Sequence, residues 1–176
     1  MSHYRRNYLA GGTFFFTVKL ANSKSCLLVE QIDLLREAYA FVQQRYAFET
    51  VAVCVLPNHI HAVWALPDGD DDYSLRWRLL KTKFSDAFES LENISASKKR
   101  RREKGIWQRR FYEHTVCDDA DLRRCVDYVY FNPVKHGLVN SVKEWPFSSF
   151  HRDVRRGLFA LDWGGSKESS VMNLGV

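Results

Sequence analysis

The chain has 176 residues, 45% of them hydrophobic and 27% charged, a globular composition that excludes an intrinsically disordered protein. The 26 lysines and arginines outnumber the 21 aspartates and glutamates, and the resulting charge of +5 suits a polyanionic partner. No apolar run approaches the roughly 20 residues of a membrane span, and the first residues lack the apolar segment of a secretion signal. We therefore expect a cytoplasmic protein with no membrane partner.

The first half of the chain predicts three strands and one helix. Stretches rich in β-branched and aromatic residues at 13–20, 48–56 and 59–66 are typical of strands. Between the first two, apolar residues recur at helical spacing from about Val29 to Arg45. Because only Pro57 and Asn58 separate the second and third strands, these two strands form an antiparallel hairpin.

The second half predicts two more helices and one more strand. Ser74 is a candidate cap for a helix that runs to about Leu91, and residues 106–116 have strand character. Asp118 or Asp119 caps a further helix that stops near Pro133.

Three smaller features complete the outline of the chain. The aspartates at 70–72 are interpreted as a solvated loop, and the small, polar residues 166–176 as a flexible C-terminal tail. The cysteines form no C-x-x-C pair, so we expect buried, inert thiols at Cys26, Cys54, Cys117 and Cys125. With residues 1–165 as one domain, the tight hairpin excludes an all-parallel sheet. The prediction is an α+β fold, an antiparallel sheet flanked by helices.

The segment His59-Ile60-His61 is the first candidate for chemistry. Residues two apart in a strand point to the same side, so both imidazoles project together while Ile60 points to the other side. Two neutral imidazoles side by side are good ligands for a divalent metal. The alternative is an exposed strand face that happens to carry two histidines.

The predicted helix before Pro133 is the second candidate. Tyr128 and Asn132 lie four residues apart, on one helical face, and could present a phenol and an amide oxygen to the same metal. The alternative is that Tyr128 and Tyr130 are core aromatics, and that Asn132 only caps the helix.

A basic stretch from Ser95 to Arg124 is the third candidate. It holds ten lysines and arginines against five aspartates and glutamates, and this excess of five equals the charge of the whole chain. Such a cluster suits contacts with a phosphate backbone. Trp107, Phe111 and Tyr112 lie within the same stretch, and their rings could stack on the bases of a nucleic acid. A solvated loop is the alternative for its most basic part, Lys98 to Lys104.

Three further histidines have no partner at the spacing of metal ligands. His114, His136 and His151 are interpreted as surface or hydrogen-bonded residues. A phosphate contact is the alternative for His136, which lies beside Lys135.

Together these segments resemble the single-tyrosine HUH transposases, and among them the REP-associated tyrosine transposases of bacteria. The similarity runs in ordered blocks to about Gly165. The blocks are Tyr4-Arg5-Arg6, Gly11-Gly12-Thr13, Leu56-Pro57-Asn58-His59-Ile60-His61, Leu66-Pro67-Asp68-Gly69-Asp70-Asp71-Asp72, Ile106-Trp107-Gln108-Arg109-Arg110-Phe111-Tyr112-Glu113-His114, Val126-Asp127-Tyr128-Val129-Tyr130-Phe131-Asn132-Pro133-Val134-Lys135-His136-Gly137 and Trp145-Pro146-Phe147-Ser148-Ser149-Phe150-His151-Arg152-Asp153.

The resemblance implies a ferredoxin-like HUH endonuclease fold with the two histidines on an interior strand. It implies cleavage and rejoining of single-stranded DNA at REP hairpins through a 5′-phosphotyrosine intermediate, with Tyr128 as the nucleophile and Tyr130 as its rival. His59 and His61 would bind Mg2+ or Mn2+. Helical spacing, together with the polar residue of the family at that position, adds Asn132 as third ligand.

The resemblance also implies which residues contact DNA and which oligomeric state the protein has. Candidate DNA-binding residues are Arg5, Arg6, Gly11, Gly12, Arg109, Arg110, Lys135 and Arg152, and we expect a monomer. Two alternatives stay open: a non-catalytic protein that recognises repeat hairpins on the same fold, and a metal-dependent hydrolase that uses water as nucleophile.

Overall fold

The computed structural model describes residues 7–89, 96–100 and 103–165. Its four strands form one antiparallel sheet in the order β2-β3-β1-β4. The strands are β1 (Thr13–Lys19), β2 (Glu49–Val55), β3 (His59–Ala65) and β4 (Tyr112–Thr115). The helices are α1 (Leu27–Glu30), α2 (Ile32–Arg45), α3 (Tyr73–Ser85), α4 (Ala96–Arg100), α5 (Asp119–Lys135) and α6 (Phe150–Arg155), with a 3-10 turn at Val142–Glu144.

The order of the elements and of the strands is ferredoxin-like, as the family resemblance implies. Strand, helix, strand, strand, helix and strand follow one another, and the hairpin of β2 and β3 places β3 inside the sheet beside β1. The antiparallel sheet with flanking helices confirms the predicted α+β class and puts the His59-Ile60-His61 segment on an interior strand.

The sheet has two buried faces, and β1 supplies both of them. Phe14 and Phe16 point to the face covered by α2 and α3, called here the α3 face. Phe15 points to the opposite face, covered by α5 and called here the α5 face. Because β1 is rich in aromatic and β-branched residues on both sides, it can fill a core on each face.

The loop before α3 differs from its prediction. Asp72, not Ser74, caps α3 by accepting a hydrogen bond from the Leu75 amide, and the helix ends at Ser85 rather than near Leu91. The interpretation of residues 70–72 as a solvated loop is wrong for Asp70, whose carboxylate lies 2.7 Å from the guanidinium of the buried Arg76. A buried guanidinium needs such a counter-charge.

Two other boundaries differ for backbone reasons. The fourth strand is shorter than residues 106–116, because the segment before it only bridges the end of β1, at Leu20 and Trp107. Asp118, one of the two residues predicted as the cap of α5, caps the helix. The helix then continues through Pro133 to Lys135. A proline there removes a single amide donor, and the remaining turn is closed by the His136 amide on the Asn132 carbonyl.

The cysteines are free thiols, as predicted, but only two are buried. Cys54 and Cys125 lie in the core, and burial raises the pKa of the Cys125 thiol to about 12 and that of Cys54 further. Cys26 and Cys117 are exposed, so the expectation of burial is wrong for them. Each lies outside a regular helix or strand, just before α1 or just after β4.

Some predictions concern residues outside the described ranges. These are Arg5, Arg6, the tail at 166–176 and part of the basic stretch. The division into a domain of 1–165 and a tail stays a prediction. No helix within the described ranges is long and apolar enough to cross a membrane.

Candidate active site

His59 and His61 lie side by side on the α5 face of β3. Their ring centroids are 4.7 Å apart, and their side chains are buried, with His61 wholly inaccessible. The strand alternation that places Ile60 in the core of the α3 face therefore brings both imidazoles to one point, as predicted. The alternative of an exposed strand face is wrong.

A neighbouring polar group holds each imidazole through its Nδ1 atom. His59 Nδ1 donates to Asn58 Oδ1 at 2.6 Å, and the Asn58 amide is itself oriented by donating to the Ser23 carbonyl. His61 Nδ1 is hydrogen-bonded to the Thr17 hydroxyl at 3.0 Å. Metal-bound histidines are held in this way through their second nitrogen, which leaves Nε2 for the ion.

Asn132 brings an oxygen atom to the same place from α5. Its side-chain nitrogen donates to the Tyr128 carbonyl at 3.1 Å. The other polar atom of the side chain is the acceptor Oδ1. Asn132 Oδ1 and His61 Nε2 are both buried; the Asn132 side chain lies close enough to His61 to influence its pKa, but neither atom makes a well-formed hydrogen bond to any described residue. Since unpaired buried polar atoms are costly, this oxygen and nitrogen fit a cation bound between them.

Burial keeps both histidines in the neutral form that binds metals. It lowers the pKa of His59 to about 3, helped by the charges of His136 and Lys19. Burial also holds the pKa of His61 well below its usual value, and the Asn132 side chain opposes this shift only in part. At neutral pH no proton therefore competes for the two imidazoles.

Tyr128 lies against the histidines on α5. Its buried ring meets the His61 ring edge-on, with centroids 5.2 Å apart, and the Lys135 ammonium lies 4.9 Å from the centre of the phenol ring. Burial lowers the pKa of Lys135. A cation at this distance favours a negative charge on the phenol oxygen.

Tyr130 occupies a different environment on the same helix. Its hydroxyl donates to Asp153 at 2.5 Å and is hydrogen-bonded to Ser149 at 3.1 Å, both near α6. Burial and the Asp153 carboxylate raise its pKa. This tyrosine is thus engaged in packing α6 on α5, away from the histidines.

The predicted DNA contacts are scattered over the molecule. Lys135 is in the site, and Arg110 is exposed next to β4. Arg109 is paired with Glu103 at 3.2 Å. Two glycines shape the turn before β1. Gly11 has a φ of +69°, and a Cβ at Gly12 would lie 2.8 Å from the Leu9 carbonyl.

Arg152 makes hydrogen bonds within the fold, and its contact with DNA stays a prediction. Its guanidinium donates to the carbonyls of Thr50 and Val51 at 2.8 and 2.6 Å and to the Asp153 carboxylate at 2.7 Å. With these donors engaged, the geometry favours a role in joining α6 to β2.

Sequence reasoning missed several residues of the site. Lys19 is the cross-strand partner of His59, and Thr17 that of His61, so both pairs share the α5 face. His136 lies with its ring centroid 5.2 Å from that of His59, eight residues after Tyr128 and four after Asn132. Helical spacing would have revealed His136 had α5 been predicted to continue through Pro133.

A second group of ligand-type side chains lies at the edge of the sheet. His114, Asp121 and Cys125 place their ligand atoms within 4.8 Å of one another. The Asp121 carboxylate already accepts from the Cys117 amide, from His114 at 2.8 Å and from Arg124. The group is therefore a hydrogen-bonded network, consistent with the prediction of hydrogen-bonded single histidines, as is the bond between His151 and the Trp145 carbonyl.

A ferredoxin-like sheet, with paired histidines on an interior strand and a tyrosine on the helix packed against them, defines an α+β protein of the HUH fold. No protein-family model matches the chain. It is 50% identical over 165 residues to a REP-associated tyrosine transposase of Escherichia coli K12, covering 94% of this chain and 92% of the relative. A Haemophilus influenzae protein assigned to the same class is 45% identical over 172 residues, or 97% and 98% of the two chains.

A solved structure of a REP-associated tyrosine transposase bound to a REP hairpin superimposes with a TM-score of 0.88. It shares 47% identity, and the match covers 100% of this chain and 98% of the other. The chain belongs to the family of REP-associated tyrosine transposases.

Proposed function

We propose that the protein is a metal-dependent single-stranded DNA endonuclease and strand transferase that acts at REP hairpins. The observation that carries this proposal is the buried contact between Tyr128 and His61, next to the unpaired pair His61 Nε2 and Asn132 Oδ1. The hairpin bound to the structural relative supports the choice of substrate.

His59, His61 and Asn132 would hold Mg2+ or Mn2+. Two imidazoles and one amide oxygen leave further positions for phosphate oxygens and suit Mn2+ at least as well as Mg2+. When bound there, the ion would polarise the scissile phosphate and offset its developing negative charge.

Tyr128 supplies the nucleophile in the proposed reaction. Its phenol oxygen loses a proton and forms a bond to the DNA phosphorus, while the bond from phosphorus to the 3′ oxygen breaks. The departing 3′ oxygen takes up a proton, and the 5′ phosphate stays on Tyr128. A second 3′-hydroxyl can reverse the step and join two strands without ATP, since one phosphodiester bond replaces another.

Lys135 assists at the same place through its charge. Its ammonium lies over the Tyr128 ring, where it stabilises the phenolate and attracts the phosphate. Arg5, Arg6, Gly11, Gly12, Arg109 and Arg110 remain proposed contacts to the rest of the hairpin. Because one chain carries all residues of the site, we also propose a monomeric active unit.

The buried polar atoms favour the enzyme over the non-catalytic hairpin-binding alternative. A protein that only binds DNA gains nothing from burying Asn132 and His61 without hydrogen-bond partners for two of their atoms. The position of Tyr128 against His61 likewise favours tyrosine over water as the nucleophile.

The test uses a labelled REP-hairpin oligonucleotide with single-stranded flanks, Mg2+ or Mn2+, and the wild-type, Tyr128→Phe and Tyr130→Phe proteins. A denaturing gel detects a covalent protein–DNA adduct. We expect a metal-dependent adduct in the wild type and in Tyr130→Phe, and none in Tyr128→Phe.

Three other outcomes would each reject part of the proposal. An adduct in Tyr128→Phe that disappears in Tyr130→Phe would move the nucleophile. Cleavage without an adduct would favour the hydrolase. Tight binding without cleavage in either metal would favour the hairpin-binding protein.

A further inference from the structure

A cavity of about 360 Å3 opens against His59. We call it the His59 cavity. Its lining includes Lys19, Cys26, Asn58, His59, Gln108 and His136. Its volume lies at the lower end of the range of about 300 to 1,000 Å3 for small-molecule sites, which is too small for a DNA duplex.

The His59 cavity carries positive charge at the point where it meets the site. Lys19 is paired with His59 across β1 and β3, so its side chain starts on the same face, directly beside that imidazole. Lys24 contributes a second ammonium to the lining. A phosphate held next to His59 would therefore find lysine donors within reach.

The rest of the lining suits a nucleobase and its sugar. Leu56 and Leu138 supply apolar surface, and the exposed imidazole of His136 offers a ring on which a base can stack. The Gln108 side chain adds an amide that can donate to and accept from a base edge. Among the described residues, Gln108 makes hydrogen bonds only through its backbone, to Lys19 and Lys81.

We propose that the His59 cavity binds one nucleotide of single-stranded DNA, the nucleotide next to the scissile phosphate. Lys19 binds a phosphate of that nucleotide, and His136 and Gln108 contact its base. This inference rests on the proposed strand-transfer function, because that function places the scissile phosphate at His59 and His61.

The first experiment is a thiol footprint, which requires no catalysis. Cys26 lines the His59 cavity, and Cys117 is an exposed thiol elsewhere that serves as an internal control. Tyr128→Phe protein is treated with N-ethylmaleimide, alone or saturated with a REP-hairpin oligonucleotide, and alkylation of each thiol is followed by mass spectrometry. The oligonucleotide is used with and without its single-stranded flanks.

We expect the flanked oligonucleotide to slow alkylation of Cys26 by about tenfold or more. This factor corresponds to the free energy that one stacked base typically contributes to binding. Cys117 should react at an unchanged rate, and the hairpin without flanks should leave Cys26 reactive. Equal reactivity of Cys26 with and without the saturating flanked oligonucleotide would overturn the proposal.

The second experiment locates the nucleotide relative to the cleaved bond. After the cleavage position is mapped with wild-type protein, the nucleotide on each side of it is replaced in turn by an abasic one. We expect adduct formation to slow by about tenfold for one side and less than about twofold for the other. Equal effects on both sides, or none on either, would contradict a pocket for one nucleotide.

The variants Lys19→Gln and Gln108→Ala assign the contacts. Lys19→Gln should slow adduct formation at saturating Mn2+ by about tenfold, because it removes a charged donor to the phosphate; Lys143→Gln, at an exposed lysine of the 3-10 turn, is its control. Gln108→Ala should reduce the abasic penalty, with Gln44→Ala on α2 as control. If wild-type protein forms no adduct at all, strand transfer fails, while the footprint still decides whether the cavity binds DNA.

Discussion

The same four strands form both faces of the sheet, yet the two faces bury different chemistry. The α3 face is filled with aromatic rings, among them Phe16, Trp64 and Trp77, of which the two indoles stack 4.2 Å apart. The α5 face buries His61 and Asn132 between apolar neighbours. Because buried polar groups cost free energy and buried rings contribute stability, the comparison separates a layer that mainly stabilises the protein from one that carries the proposed active site.

The largest expected effect tests the α3 face. Trp77→Ala should lower the free energy of unfolding by about 3–5 kcal/mol, because it empties the space against Trp64 and Phe16. Urea unfolding followed by circular dichroism measures this loss. The protein that remains folded should form the DNA adduct at nearly the wild-type rate; a matching loss of adduct formation would show that the two layers are not separable.

The next effect tests the α5 face. His61→Ala should weaken Mn2+ binding by more than about 100-fold, since it removes a proposed ligand rather than a residue that supports one. Isothermal titration calorimetry on the metal-free protein measures the affinity. His151→Ala is the control, because that imidazole is bonded to the Trp145 carbonyl outside the site. Unchanged Mn2+ affinity in His61→Ala would place the ion elsewhere.

Arg152→Gln should affect the stability of the protein rather than its affinity for the hairpin. We expect the free energy of unfolding to fall by about 2 kcal/mol, because the carbonyls of Thr50 and Val51 and the buried Asp153 lose a charged donor. Hairpin affinity, measured by fluorescence anisotropy, should stay within about twofold. A weakened hairpin complex at full stability would restore Arg152 as a DNA contact.

The smallest effect sharpens the comparison within the α5 face. Asn58→Ala should weaken Mn2+ binding by about tenfold, the scale of a residue that orients a ligand, because His59 loses the acceptor for its Nδ1 proton. Calorimetry again measures the affinity, and Asn140→Ala, at an exposed loop position, is the control. An affinity equal to that of the wild type would mean that Asn58 does not hold the imidazole.

The sequence predicted the site where local periodicity decides geometry. Strand alternation placed His59 and His61 together, and the helical repeat placed Tyr128 one turn from Asn132. Neither Thr17 nor Lys19 could be found in this way. Their places depend on the register between β1 and β3, two strands separated by about 40 residues, and that register is fixed by the packing of both faces.

His136 was assigned no metal-site role for a different reason. Pro133 was predicted to end α5. Near the end of a helix, however, a proline removes only one backbone hydrogen bond, and the last turn still forms. The prediction of a solvated loop was wrong for Asp70 for another reason, because its partner Arg76 is buried by tertiary packing that no local pattern reveals.

The stacked indoles of Trp64 and Trp77 also give the molecule an optical signature of its own. The two ring centroids are 4.2 Å apart, close enough to couple the electronic transitions of the indoles, and we expect a circular dichroism couplet in the ultraviolet whose strength is set by the angle between the two transition dipoles. The pair lies on the face opposite His61 and Tyr128. Its couplet would therefore report, with no label attached, whether the scaffold is intact when DNA and metal are added to the proposed site on the other side.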